Sequence, residues 1–172
     1  MKKSMFAVLA FIVAGAGLWI SPYWSMSGLA VAALDGDSYG MGEHVDFPAL
    51  RENLKGQLTA RMTEELSSGE SNGFQAIGVA LGMMMVDKMI DQFVTPAGLA
   101  ALVKKNIPQV TERPSRVTVT YRLLAQSDMT WSNTSRVHFG SADDNAARFV
   151  FQRSFVSWKL IGIEMPGDAL KN

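Results

Sequence analysis

The chain offers two imidazoles for acid–base chemistry, His44 and His138. Asp46 follows His44 by two residues, the order of a carboxylate–imidazole pair. Such a pair could move a proton in an isomerase or hydratase, provided a pocket shifted the pKa values. Against this, Asp46 stands directly before Phe47-Pro48, the pattern of a helix N-cap with proline in the first turn, and His44 falls in a polar loop. His138 shares a strand face with Arg136 and reads as a solvent-side residue. Asp87 and Asp91 lie at i and i+4 of one helix with Lys88 beside them. That is half of a metal site by spacing, but no histidine is near, and a solvated face is the simpler reading. The chain has no cysteine, which excludes disulfides and thiolate metal sites. No G-x-S-x-G, phosphate-binding loop or metal-ligand cluster is present. No cofactor and no metal are expected.

The other chemistry on offer is apolar. Met83-Met84-Met85 occupies three consecutive helical positions, which sweep about 200° of a helix surface. One core face cannot take all three equally, so they are gap-filling core residues or the wall of an apolar ligand pocket. The candidate lining residues are Met84, Met85, Phe93, Tyr121 and Trp158. They point to binding of an apolar molecule or an envelope protein, with an isomerase or hydratase using His44 or Asp46 as the alternative. Gly78 and Gly82 form a G-x-x-x-G. This spacing permits close packing on another helix or on the sheet, or self-association.

These residues must be held by a small fold. The chain has 172 residues, enough for one domain plus an appendage. Acidic and basic residues balance at 16 each. No basic face is evident, which argues against a nucleic-acid partner.

Lys2 and Lys3 precede an uncharged run over 5–20, the pattern read by the secretion machinery. Ala14-Gly15-Ala16 has the form of a cleavage site. Alternatively 5–24 stays as an anchor, since about 20 helical residues cross about 30 Å of hydrocarbon. Trp19, Tyr23 and Trp24 at its outer end favour the anchor. Either way the partner of this segment is the inner membrane. The expected location is the cell envelope: anchored and facing the periplasm, or periplasmic after cleavage near Ala16. Residues 1–20 are thus a signal peptide or signal anchor, and 21–172 a single exported domain.

Within that domain, Ser21-Pro22 predicts the start of a helix that ends at Asp35-Gly36-Asp37. A short turn of helix to Met41 follows. Phe47, Leu50, Leu54, Leu58, Met62 and Leu66 predict a long amphipathic helix. After a loop over 67–73 comes a second long helix over 74–94. Thr95-Pro96 starts a short third one that ends near Asn106. Beyond Pro108 the period turns to two. Strands are expected over 116–123, with Val117, Val119, Tyr121 and Leu123 alternating, and near 135–140, 148–153 and 157–165. Turns are expected at Ser127-Asp128 and over 141–145, and Gly162 marks a bulge or a strand covered on both faces.

Three blocks carry a resemblance: Pro22-Tyr23-Trp24, Ala33-Leu34-Asp35-Gly36-Asp37, and Val45-Asp46-Phe47-Pro48-Ala49-Leu50-Arg51. Thr95-Pro96-Ala97-Gly98-Leu99, Trp158-Lys159-Leu160 and Met165-Pro166 support it. The chain resembles the bacterial domain of unknown function family 2939. That likeness implies an envelope location and supplies no catalytic residues. The opening also has a fold-level likeness to the NTF2-like group. The expected fold is α+β (NTF2/cystatin-like). About four helices lie on one face of a curved antiparallel sheet of about four strands.

Overall fold

A single helix, α1 (Lys2–Asp35), joins the apolar leader to the rest of the molecule without a break. The structure, a computed structural model, describes residues 2–68, 73–106, 113–140, 147–155 and 157–165. The expected turn over 141–145 and part of the loop over 67–73 lie outside the described residues.

Pro22 was expected to open a helix, with Ser21 as its cap; instead it sits inside α1. Proline removes one backbone donor and so orphans the carbonyl four residues earlier. That carbonyl belongs to Leu18, and the Ser21 hydroxyl donates to it at 2.7 Å. The gap in the helix ladder is therefore filled from the neighbouring side chain. Residues 5–20 carry ten large apolar side chains that are exposed, Phe11 at 84% among them. Burial begins at Pro22 and Tyr23. Val8–Asp35 is long and apolar enough to cross a membrane.

The left-handed Gly36 (φ 65°) ends α1, as its sequence predicted. Asp37 then caps α2 (Ser38–His44), its carboxylate accepting from the Tyr39 N–H at 3.0 Å. Asp46 caps α3 (Phe47–Ser68) through the Ala49 N–H at 3.1 Å. Thr95 caps α5 (Pro96–Asn106) through the Gly98 N–H at 3.1 Å. Between them α4 (Gly73–Phe93) packs on α3, where Gly82 meets the Met62 methyl.

Residues 116–123 form no strand. They belong to α6 (Arg116–Gln126), capped by Ser115, whose hydroxyl accepts from the Thr118 N–H at 3.2 Å. The side chains turned inward are Arg116, Val119, Thr120 and Leu123, a helical spacing, while Val117 and Tyr121 are exposed. Ser127 is the C-cap of α6 and not a turn. It leads straight into β1 (Asp128–Asn133), which the sequence reading missed. The remaining strands are β2 (Arg136–Gly140), β3 (Arg148–Ser154) and β4 (Ser157–Glu164). They form an antiparallel meander in the order β1-β2-β3-β4. The fold is α+β, with six helices and four strands among the described residues.

The core lies between one face of the sheet and α1 and α3. Val137, Phe139, Phe151, Trp158 and Leu160 from the sheet meet Tyr23, Val45, Phe47 and Leu50. Aromatic rings interlock edge to face, Tyr23 on Phe139 and Phe139 on Phe151. The outer edge of β4 is partly covered, because Val45 bridges to Leu160 and the Asp46 N–H donates to the Leu160 carbonyl at 2.9 Å. A bulge falls in β4: Phe151 pairs with Leu160 and Val150 with Gly162, leaving Ile161 extra. At Gly162 any Cβ would stand 2.8 Å from the Asn53 side chain of α3, so glycine is what lets the helix close on the strand.

Candidate functional site

Where α1 passes from its exposed half to its buried half, one face of it borders an open cleft of about 470 Å³. Gly17, Ile20, Ser21, Trp24 and Ser25 supply the α1 wall, at helical spacing. His44 at the end of α2, Arg116 at the start of α6 and Ser157 at the start of β4 supply the rest. The lining is apolar at the leader end and polar at the domain end.

The Arg116 guanidinium is held in two ways. It lies over the Trp24 ring, 4.5 Å from the centroid, a cation–π contact. Its Nη2 and Nε donate to the Trp24 carbonyl at 2.8 and 3.3 Å. Below it, Thr120 donates to the Ser27 hydroxyl at 2.8 Å, a buried polar pair that ties α6 to α1. Among the described residues no carboxylate comes within ion-pairing distance of Arg116. Burial lowers its pKa from the ordinary arginine value.

His44 and Arg116 converge above Gly28. A Cβ at that position would lie 2.5 Å from Arg116 Nη2 and closer still to His44 Nε2. Removal from water pushes the His44 pKa down, and the positive charges of Arg116 and Lys159 push it the same way, against an opposing pull from Glu43. The imidazole is therefore neutral at neutral pH. Asp46 is not its partner, since that carboxylate is engaged as the α3 cap.

The five side chains expected to line an apolar site are not brought together. Met84, Met85 and Phe93 are exposed on α4 and Tyr121 is exposed on α6, whereas Trp158 is 1% exposed in the core. The Trp158 indole N–H donates to the Ser21 hydroxyl at 2.8 Å, beside the cleft. Asp91 pairs with Lys55 at 2.7 Å and Arg51 at 3.8 Å on α3, and Asp87 is exposed. Among the described residues no group of three or more potential ligands is placed to hold a metal.

His138 is more engaged than its strand position suggested. Its Nε2 lies 2.5 Å from the Ser132 hydroxyl and its Nδ1 3.3 Å from a Glu164 oxygen. Hydroxyl, imidazole and carboxylate follow one another as in a nucleophilic triad. Here they come from β1, β2 and β4 and cross above β3, whose Val150 pairs with His138 and is 3% exposed. A polar cross-strand ladder roofing Val150 accounts for them.

Sequence reasoning missed Gly28 and Arg116 as site residues. A signal for Gly28 was there: Ser21, Ser25, Gly28 and Ala32 place small residues along one stripe of α1, which permits close approach. Arg116 was hidden by its assignment to a strand face.

The molecule is thus a small α+β domain carried on an apolar helix, with a basic cleft at their junction. The profile of the family described as "Protein of unknown function (DUF2939)" matches residues 11–102, more than half of the chain, and the chain belongs to that family. The matched segment holds Trp24, Gly28 and His44 and ends before Arg116 and Trp158. Neither a curated protein nor a solved structure matches the chain, so the NTF2-like likeness gains no support.

Proposed function

We propose that this chain is a cell-envelope protein held in the inner membrane by the first half of α1, with its α+β domain on the periplasmic side. In this reading it acts by binding an apolar or amphiphilic ligand or an envelope partner, and not by catalysis. The observation that carries the proposal is the change in exposure along one unbroken helix. Ten large apolar side chains of residues 5–20 are exposed, whereas from Pro22 to Leu34 the same helix is buried or half-buried at every position but Trp24. Moving each such side chain out of water is worth about 1.5–3 kcal/mol, a gain a bilayer supplies. Lys2 and Lys3 ahead of the run favour a cytoplasmic N-terminus.

The centre of the domain is filled by Trp158, Phe139, Phe151 and Leu50. A ligand is therefore taken at the surface and not inside a cone. The alternative, an isomerase or hydratase, has in its favour a neutral His44 facing a cleft, but Asp46 is committed elsewhere.

Alkaline extraction of membranes tests the tether: the full chain should stay in the pellet, and a periplasm-dependent reporter fused after Asn172 should be active. Release into the supernatant with a reporter active only in the cytosol overturns it. N-terminal sequencing of the mature protein then separates an anchor from cleavage near Ala16.

A further inference from the structure

We propose that the cleft between α1, α2 and α6 binds an anionic phospholipid, its phosphate held by Arg116 and His44 and its acyl chain laid along Gly17 and Ile20. The inference rests on the membrane reading above and adds a ligand class to it.

Three observations converge. The first is charge. Arg116 has no carboxylate partner among the described residues, and its fixed bonds use Nε and Nη2, leaving Nη1 free of them. Lys159 adds a second positive charge felt at His44, against the stronger opposing charge of Glu43, so Arg116 carries the attraction. Guanidinium donors in a fork suit phosphate oxygens. A neutral imidazole can donate one hydrogen bond to the same anion, or take up a proton when the anion arrives.

The second is depth. With 5–24 in the bilayer, Gly17 and Ile20 lie in hydrocarbon and Trp24 at the interface, where indole rings prefer to sit. Residues 17–24 span about 10 Å of helix axis, and the polar layer on each side of the hydrocarbon is roughly 5–8 Å thick. The cleft therefore crosses the boundary between acyl chain and headgroup.

The third is construction. Trp24 stacks on Arg116 and its carbonyl anchors the same guanidinium. Gly28 supplies the space into which His44 and Arg116 close. A volume of about 470 Å³ lies within the usual range of ligand pockets. The shared chemistry is a phosphate oxyanion, and free phosphate would use the same donors; the apolar wall formed by Gly17, Ile20 and Trp24 favours the lipid.

The test uses the full chain in an uncharged maltoside detergent, titrated with dihexanoyl phosphatidylglycerol, dihexanoyl phosphatidylcholine or inorganic phosphate. Native mass spectrometry and the His44 ring resonances are the readouts. The glycerol lipid should bind one to one and move the His44 titration to higher pH, because a bound anion favours imidazolium. Phosphatidylcholine should bind several-fold more weakly, since its ammonium meets Arg116 and Lys159. Arg116→Gln should weaken phosphatidylglycerol by tenfold or more, and Gly28→Ala should do likewise by displacing both donors. Lys159→Gln, which leaves the Trp24 stack alone, should cost a few-fold. Circular dichroism confirms that each variant is folded. Equal retention of the lipid by folded Arg116→Gln and Lys159→Gln overturns the proposal, as does inorganic phosphate matching phosphatidylglycerol. Because the short-chain lipids are soluble, a failed alkaline extraction would sink the membrane reading while the preference of the cleft remained measurable.

Discussion

At the scale of single residues, local chemistry decided most outcomes. Gly36 takes the left-handed turn, and Asp37, Asp46 and Thr95 each accept from an N–H at a helix start. All were legible because a cap needs only its immediate neighbours. His44 was not legible, because its state depends on Arg116, Lys159 and Glu43, which converge only in three dimensions. Its lowered pKa has a consequence for stability. The unfolded chain, titrating near 6.5, binds the proton more readily than the folded one. Stability is therefore fully present above that pH, falls as pH drops through 6.5 toward the folded value, and levels off below it. Denaturation midpoints measured between pH 8 and 5 should decline for the native chain. In His44→Asn this component should be missing, so the difference between the two curves isolates it.

At the scale of elements, α6 shows how a pattern misleads. Val117, Val119, Tyr121 and Leu123 alternate as a strand does, and β-branched residues reinforce the impression. The same eleven residues carry a helical set, Arg116, Thr120 and Leu123, which α1 rewards with the Ser27 hydroxyl and the Trp24 carbonyl. Tertiary contact overrode propensity. The true first strand was invisible for the opposite reason: Asp128–Asn133 is an edge strand with little buried on it, and its sequence is mostly polar. The strands near 135–140, 148–153 and 157–165 were legible because their inward residues are large and apolar. Ser115→Ala should cost about 1 kcal/mol through loss of the α6 cap. Hydrogen exchange should show the amides from Thr120 onward protected in a continuous run; protection alternating from residue to residue would contradict the helix.

At the scale of the whole molecule, α+β architecture and an apolar opening helix were legible, while the joint between them was not. Ser-Pro reads as a boundary from sequence alone, yet Ser21 bonds the Leu18 carbonyl that Pro22 orphans and also receives the Trp158 indole. That one hydroxyl satisfies α1 at its proline and adds a bond to the sheet beside the Tyr23–Phe139 contact. Ser21→Ala should lower stability by about 1–3 kcal/mol, the cost of leaving the Trp158 indole N–H unpaired in the core. It should also loosen the joint. The absence of native cysteine makes this measurable: spin labels at Leu9→Cys and Gln152→Cys in the full chain should give a narrow distance distribution, which Ser21→Ala broadens. An unchanged width would place the rigidity elsewhere.

The unbroken passage of α1 through Pro22 would also set the posture of the protein in the membrane proposed for it. Thirty-four residues in one helix measure about 51 Å, more than the hydrocarbon is deep, so with the leader in a bilayer as proposed, any lean of the leader would be copied by the end that carries the sheet. A thinner or thicker bilayer would tip the mouth of the basic cleft toward the lipid surface or away from it, as the bowl of a spoon follows its handle. Lateral thickness of the membrane would then act as a dial on access, with no rearrangement inside the domain.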